Sequence, residues 1–265
     1  MPLSGQLSRR QRARIFRGAQ YGVLVVAVAV FALVADWHQL RTAFFDVEIA
    51  KAMFPDIITT ALVNTVLYTL LGFGFGLALG LVLALMRLSS VPPYRWIAIT
   101  YIEFFRGIPA LLVFIALGFG VPLAFEVALD MNITVMLSLG LVGAAYMAET
   151  IRAGIQAVPK GQMEAARSLG MSHGRAMVSI VIPQAFRIVL PPLTNELILL
   201  TKDSSLVYLL GLSLTQVELA NFGRDALNEH KSLTPILVAG LLYLVITVPL
   251  GQLVRRLEAR TAKAR

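Results

Sequence analysis

Two carboxylates, Glu196 and Asp203, stand seven residues apart in an apolar stretch that runs from Ile188 to about Gly211. Seven residues make almost two helical turns, so both side chains project from one face of a helix, about 10 Å apart along its axis. Ionisable groups in membrane-length apolar segments are rare and cost roughly 2.5–3.5 kcal/mol each. The pair is therefore suited to a ligand that carries positive charge, such as an α-ammonium or a basic side chain.

The alternative is that the two carboxylates are neutralised structurally. Lys202 is adjacent to Asp203 but lies about 100° around the helix, so it cannot easily neutralise both acids. In this interpretation Glu196 pairs with Lys202 or with a cation from another subunit. Asn195 can donate a hydrogen bond to a carboxylate, or it can pack between helices.

Other ionisable residues lie within or beside apolar stretches in pairs spaced three apart. Glu103 is paired in this way with Arg106, and Glu149 with Arg152. Residues three apart are neighbours on a helix surface, which favours structural ion pairs. The alternative is that they line a pathway for a solute. The complete set of pathway candidates is Asn195, Glu196, Asp203, Glu149, Glu103 and Arg106.

The composition of the chain limits the class of protein in which these ionisable residues lie. The chain has 265 residues, of which 57% are hydrophobic and 14% charged, with a formal net charge of +8. Soluble domains are roughly 25% charged, and disordered chains hold far less apolar surface. There is too little polar surface to carry a nucleic-acid site. With no Cys and three widely spaced His, we expect neither a metal site nor a catalytic residue.

Stretches that are long and apolar enough to cross a bilayer predict an all-α integral membrane protein with about six transmembrane helices. They cover residues 18–35, 57–86, 107–125, 131–148, 188–211 and 232–254. The first can also be read as a signal sequence, since arginines precede it, but its end is a poor cleavage site. Most Lys and Arg fall in alternate connecting segments, which places the N- and C-termini in the cytoplasm.

The long basic segment 152–187 is then cytoplasmic. Pro159 suits the first turn of a helix, Gly170 a left-handed C-terminal cap, and Ser172 the N-cap of a second helix that runs to the region of Pro183. The segment is predicted to be a short helix, a turn and a second helix. It is suited either to lie on the membrane surface or to dock in the groove of a cytoplasmic partner.

Part of this segment resembles a known signature. Glu164-Ala165-Ala166, followed by Gly170, Ile180 and Ile182-Pro183, is similar to the signature loop of binding-protein-dependent ABC importer permeases, where Leu is usual at Ile182. Further stretches resemble the polar amino acid subfamily: residues 105–109 (FRGIP), 145–149 (AYMAE), 152–155 (RAGI), 158–162 (VPKGQ), 190–193 (LPPL) and 202–206 (KDSSL).

The resemblance implies a five-helix permease core at residues 57–254, with the coupling loop at 152–187. Around it, we expect a basic cytoplasmic N-terminus at 1–17, an extra transmembrane helix at 18–35, an extracytoplasmic linker at 36–56 and a basic cytoplasmic tail at 255–265. In such permeases the signature loop couples to the ATPase, which here implicates Gly161, Met163, Glu164, Ala165, Ala166, Leu169 and Gly170.

The resemblance also implies partners. They are two copies of an ABC ATPase subunit, a second permease subunit (identical or different), an extracytoplasmic amino-acid-binding protein and the lipid bilayer, with no nucleic acid. ATP and magnesium are expected on the ATPase subunit and no cofactor in this chain, which has no phosphate-binding loop. The chain is thus expected to be a transport subunit of a bacterial inner membrane and not an enzyme.

The implied function is a permease for polar amino acids, and the two carboxylates favour basic ones. Acidic or neutral amino acids are the alternative, since a carboxylate can also orient the α-ammonium that all amino acids share. A different class of function is a membrane scaffold that docks a cytoplasmic partner through the same loop. A self-contained secondary transporter fits least well, because such proteins tend to show paired inverted halves.

Overall fold

The computed structural model describes residues 9–263, with side-chain surroundings for residues 9–260. The described residues form helices and no β-strand. Five helical stretches are long and apolar enough to cross a membrane: Arg9–Val34, Ile57–Leu88, Met131–Gln156, His173–Leu210 and Thr234–Arg260. A bent pair of helices gives a sixth. The fold is therefore all-α with five to six spans, as predicted. Residues 1–8 and 264–265 of the predicted basic termini lie outside the described part.

The described residues up to Asp46 form one compact unit, and those from Val47 onward form another. The first unit contains α1 (Arg9–Val34) and α2 (Trp37–Phe44). Asp36 caps α2 by accepting a 2.9 Å hydrogen bond from the Gln39 amide. The Trp37 indole donates to the Ala32 carbonyl at 2.9 Å. The first predicted span is thus a helix, and it extends back through the arginines to Arg9.

The second unit begins with α3 (Val47–Ala52) and a π-helical segment, Ile57–Leu62, that continues into α4 (Val63–Leu88). α4 packs along α8 (Met131–Gln156) through buried glycines that are spaced four residues apart. A Cβ atom at Gly80 would lie 3.0 Å from the Ala144 carbonyl oxygen. The same atom at Gly74 would meet nothing within 4 Å. Close backbone approach therefore sets this interface.

The third span differs from the prediction. Instead of one helix over 107–125, α5 (Pro92–Gly107) is followed by a second helical stretch, and the chain bends by 102° between the two. That stretch comprises α6 (Ala110–Ile115), a π-helical segment (Ala116–Gly120) and α7 (Val121–Phe125). Pro109 disfavours helical backbone at Ile108, which is extended with φ −107° and ψ 146°. Glu103 and Arg106 consequently belong to the helix before the bend.

The segment predicted as a loop over 152–187 is shorter in the structure, because α8 continues to Gln156. It contains α9 (Lys160–Ser168), a turn at Gly170 with φ 83°, and Ser172, which caps α10 (His173–Ala176). The predicted turn and cap are confirmed. The second helix does not end near Pro183, however. A π-helical segment, Met177–Val181, leads into α11 (Ile182–Asp203). Such a local adjustment accommodates a proline whose ring removes a backbone donor.

The remaining elements complete the bundle. A 3₁₀ turn, Ser204–Leu210, follows α11 directly, and α12 (Leu219–His230) leads to α13 (Thr234–Lys263). α13 contacts α11, α12 and α3. The larger buried apolar cluster joins α4, α5, α6, α8 and α11, and a smaller one joins Met53, Ile57 and Ala61 to Leu219 and Ala239. The last predicted span is thus a helix that also includes the basic residues from Arg255 to its end at Lys263.

Candidate functional site

The predicted coupling residues lie on α9 and the turn that follows it. Ala166 is buried and Met163 is half-buried, whereas Gly161, Glu164, Ala165, Leu169 and Gly170 are exposed. Leu169 is 86% exposed. The buried side holds α9 on the bundle, and the exposed side presents the apolar side chain of Leu169.

Local contacts keep this turn in a defined shape. Gly170 donates its amide to Arg167 at 3.0 Å, and Met171 donates to Ala166 at 3.2 Å. Val158, Val181 and Ala185 form a small buried cluster against which Met163 packs. The segment from Ala157 to Ser172, named the coupling segment below, is therefore anchored to the start of α11.

The carboxylate pair lies on α11, with Glu196 and Asp203 half-buried and Asn195 and Lys202 exposed. Within the described residues, no Lys or Arg nitrogen lies within 4.0 Å of either carboxylate. The suggested ion pair between Glu196 and Lys202 is thus absent from this part of the chain. Among the described residues, neither half-buried acid therefore has the close ion-pair partner that desolvated charges require.

Glu149 has the opposite surroundings. Its carboxylate lies 2.8 Å from Arg87 Nη1 of α4 and 2.8 Å from Arg152 Nη2 of α8. The pair with Arg152 was predicted from the spacing and is confirmed. The pair with Arg87 was not predicted, because it depends on how α4 and α8 are rotated against each other.

Glu103 and Arg106 do not form the predicted ion pair, although both are described and exposed on α5. The Arg106 guanidinium instead lies 5.6 Å from the centre of the Tyr146 ring, a cation–π contact. Tyr146 is three residues before Glu149, so Arg106 and Glu149 neighbour each other between α5 and α8. Asn195, Glu196 and Asp203 form a separate group on α11.

Sequence reasoning missed Glu218, which is fully buried at the start of α12. Its carboxylate accepts hydrogen bonds from the amides of Ala220 and Asn221, both at 2.7 Å, and from the Tyr243 hydroxyl at 2.8 Å. Burial raises the pKa of Glu218 above its ordinary value, and these bonds oppose the rise only in part. An acid before a helix is a recognisable N-cap signal, but its burial depends on α13.

The loop before Glu218 is held by polar side chains of α4. Asn64 donates to the carbonyls of Thr215 and Val217, both at 2.9 Å, and Tyr68 donates to the Gln216 carbonyl at 2.8 Å. Across the described residues, no three His, Asp or Glu side chains are grouped as metal ligands. The expectation of a chain without metal or cofactor stays a prediction.

Comparison with known proteins places these features in context. Residues 76–263 match the family model described as "Binding-protein-dependent transport system inner membrane component". The arginine transport system permease protein ArtQ of Bacillus subtilis (strain 168) is 38% identical over 185 residues, covering 70% of this chain and 83% of the relative. The glutamate/aspartate import permease protein GltK of Escherichia coli O157:H7 is 38% identical, covering 76% and 92%.

A solved structure shows the same similarity in three dimensions. It is described as "Crystal structure of an amino acid ABC transporter with histidines" and superposes with a TM-score of 0.74 at 34% sequence identity. The match covers 81% of this chain and 98% of that chain. Sequence and fold therefore agree over most of both molecules.

Proposed function

The chain belongs to the family of binding-protein-dependent transport system inner membrane components, as a permease subunit of an amino-acid ABC importer, and we propose that it favours basic amino acids. The single observation that carries the preference is the carboxylate pair on α11. Glu196 and Asp203 are half-buried and have no cation of the described chain within 4.0 Å. A solute with two positive groups supplies the missing partners.

The chemistry assigns one acid to each end of such a solute. Two carboxylates about 10 Å apart along a helix can bind an α-ammonium and a terminal guanidinium or ammonium together. ArtQ is named as an arginine transport permease, which fits this assignment, whereas GltK is named for glutamate and aspartate. In a permease for acidic or neutral amino acids, one carboxylate would orient the α-ammonium and the second would have no substrate partner.

We further propose that the coupling segment docks a separate ATPase subunit, which supplies ATP hydrolysis and holds the magnesium. The support is the exposed side of α9 and its turn, where Leu169 projects from a segment anchored on the other side. Two ATPase copies and a second permease subunit complete the assembly, because one chain lines only half of a pathway. An extracytoplasmic binding protein delivers the amino acid.

The proposed orientation has both termini in the cytoplasm of a multi-pass inner-membrane protein. The support is the concentration of Lys and Arg in the segments that share a side with the coupling segment. In this arrangement α1 is an additional span before a core at residues 57–254. A scaffold without transport remains the alternative class of function, and it predicts no ATP-dependent uptake.

The experiment is purification of the assembly followed by reconstitution. We expect an ATPase subunit to copurify, its hydrolysis to be stimulated by the loaded binding protein, and labelled arginine to accumulate in vesicles ahead of glutamine and glutamate. Assembly without an ATPase, or hydrolysis without uptake, would contradict the transport function. Uptake of glutamate ahead of arginine would contradict only the preference for basic substrates.

A matched pair of variants tests the docking surface. Leu169→Asp places a charge where an apolar contact is proposed, and we expect the copurified ATPase to fall at least about tenfold, as for a central interface residue. The control is Leu214→Asp, since Leu214 is similarly exposed, at 88%, but lies far along the chain from the coupling segment. Deletion of Gly161–Gly170 should abolish coupling altogether.

A further inference from the structure

One carboxylate joins two helices of the core near the coupling segment. Glu149 of α8 lies 2.8 Å from the Arg87 guanidinium of α4, and the same carboxylate lies 2.8 Å from Arg152, one turn further along α8. The three side chains are only 20–24% exposed. The pair with Arg87 is therefore a partly desolvated bridge between helices, whereas the pair with Arg152 lies within one helix.

The position of this bridge along α8 gives it mechanical relevance. Glu149 precedes Gln156, the last residue of α8, by seven residues, or about 10 Å of helix. Three residues then lead into α9 of the coupling segment. A force on α9 consequently reaches α8 close to Glu149 along the chain, and it reaches the start of α11 through the buried cluster of Val158, Val181 and Ala185.

The contact between α4 and α8 changes character at this point. Along the preceding turns Gly76 and Gly80 allow direct contact with the α8 backbone, where a Cβ at Gly76 would lie 3.1 Å from the Gly140 carbonyl oxygen. Arg87 lies seven residues beyond Gly80, near the end of α4 at Leu88. Past the glycines, the ion pair holds the two helix ends together.

A partly desolvated ion pair is suited to this task because solvent and salt screen its attraction much less than that of an exposed pair. Separating α4 from α8 would take Arg87 away from its carboxylate and leave a partly buried, unpaired charge. The cost of that charge opposes separation of the helices. Arg106 of α5 lies over Tyr146, one turn before Glu149, so helices α4, α5 and α8 all place an arginine near this carboxylate.

We propose that Glu149 is a positioning residue for coupling, which holds Arg87 so that α4 and α8 move together when the ATPase shifts α9. This inference rests on the proposed function of the chain as an ABC permease. It assigns Glu149 to the transmission of motion and not to the solute pathway. Glu196 and Asp203 keep that role.

The test compares two arginines that share one carboxylate. Arg87→Gln removes the bridge between helices and keeps the pair within α8, whereas Arg152→Gln does the reverse, and the two side chains are 23% and 24% exposed. In the reconstituted assembly we expect Arg87→Gln and Glu149→Gln to lower the amino acid imported per ATP hydrolysed by about two- to thirty-fold, the range for residues in a coupling network. Arg152→Gln should retain most of this ratio.

Further measurements separate positioning from other roles. The concentration of loaded binding protein that gives half-maximal uptake should not change in Arg87→Gln, because no substrate contact is lost. Arg95→Gln, an exposed arginine of α5 without an ion pair among the described residues, is the control and should behave as the wild type. If Arg87→Gln does not assemble, the double variant Arg87→Gln/Glu149→Gln removes both charges and should assemble uncoupled.

The outcomes distinguish the two levels of the argument. A wild-type assembly without stimulated hydrolysis and uptake would overturn the proposed function. A coupled wild type with an equally coupled Arg87→Gln or double variant would overturn the role of Glu149 alone. Equal losses in Arg87→Gln and Arg152→Gln would show that simple neutralisation of Glu149 matters, and a shift in half-maximal concentration alone would indicate substrate contact. Either result rejects the positioning role.

Discussion

Three glutamates of the bundle lie in three kinds of surroundings. Glu149 has two arginine partners, Glu218 accepts hydrogen bonds from two amides and a hydroxyl, and Glu196 has no cation within 4.0 Å among the described residues. A satisfied carboxylate stabilises or positions the fold, whereas an unsatisfied one in an apolar helix calls for a partner from outside the chain. The surroundings separate residues that the sequence alone places in one class.

The unsatisfied carboxylate gives a prediction about substrates. In Glu196→Gln we expect the ratio of basic to neutral amino acid uptake to fall by at least about tenfold, because a charge-assisted hydrogen bond is worth more than 1.4 kcal/mol. The measurement is competitive uptake of labelled arginine and glutamine in vesicles. Glu229→Gln, an exposed position on α12, is the control. An unchanged ratio would exclude Glu196 as a determinant of selectivity.

The buried N-cap gives a prediction about pH. The pKa of Glu218 is raised in the folded protein. As pH rises above about 4.5, Glu218 therefore ionises in the unfolded chain before it ionises in the folded protein. The wild type consequently loses stability as pH rises towards the raised pKa. Glu218→Gln cannot ionise there, so the unfolding temperature of the wild type should fall relative to that of the variant as pH rises. A difference that stays constant between pH 4.5 and 8 would refute this account.

At this scale the sequence predicts partners only when they are close along the chain. The spacing of Glu149 and Arg152 predicts their ion pair, and the structure confirms it. The same rule fails for Glu103 and Arg106, because Tyr146 of a neighbouring helix offers the guanidinium another surface. Arg87 could not be assigned to Glu149, nor Tyr243 to Glu218, since these contacts depend on how whole helices rotate and pack.

Among the helices, the contact between α4 and α8 is set by the absence of side chains. Gly80 gives a prediction, since a Cβ there would lie 3.0 Å from both the Ala144 carbonyl oxygen and the Met147 Cβ. We expect Gly80→Val to destabilise the bundle by about 1–3 kcal/mol through overpacking. Gly74→Val is the matched control on the same helix, because nothing lies within 4 Å of its Cβ position.

The measurement is thermal unfolding of both variants in detergent. A similar loss in Gly80→Val and Gly74→Val would indicate that the backbone preference of valine, and not the contact with α8, determines the effect. A loss confined to Gly80→Val would establish the close packing. The small-residue spacing of α4 predicts that glycines pack, but the structure is needed to tell which glycine faces α8.

Helix existence was easier to predict than helix extent. Apolar length alone identifies the long helices, because the bilayer sets a minimum span. It fails at the bend between α5 and α6, where Pro109 redirects the chain and two charged residues belong to the helix before it. Apolar length also places the end of α8 before its observed end at Gln156, and the start of α11 after its observed start at Ile182. Both helices continue beyond their apolar stretches.

For the molecule as a whole, the distribution of charge predicts its orientation in the membrane. The net charge of +8 comes mainly from arginines at the two termini and around the coupling segment. This distribution is the expected signature of cytoplasmic segments. The family membership establishes a multi-pass membrane protein, and the direction in which it crosses the membrane is a separate proposal.

The absence of cysteine in the sequence makes that proposal simple to test. Single-thiol variants Ser172→Cys, in the coupling segment, and Ser213→Cys, after the turn at Gly211, both replace exposed serines. We expect an impermeant maleimide to label Ser213→Cys in intact cells, and Ser172→Cys only after the membrane is opened. The reverse pattern would invert the orientation, and labelling of both in intact cells would reject the assigned sides.

We expect the continuous helical run from His173 to Asp203 to act as a lever arm. Its thirty residue steps span about 45 Å, with the coupling segment at one end and the carboxylate pair towards the other. Tilting this arm by about 5° at its α10 end would sweep Asp203 through about 4 Å, enough to break any hydrogen bond that it makes to a solute. Because α11 packs against α4, α8 and α13, the neighbouring helices would have to move with it, and a small tilt that the bundle shares would thus suffice to release the solute.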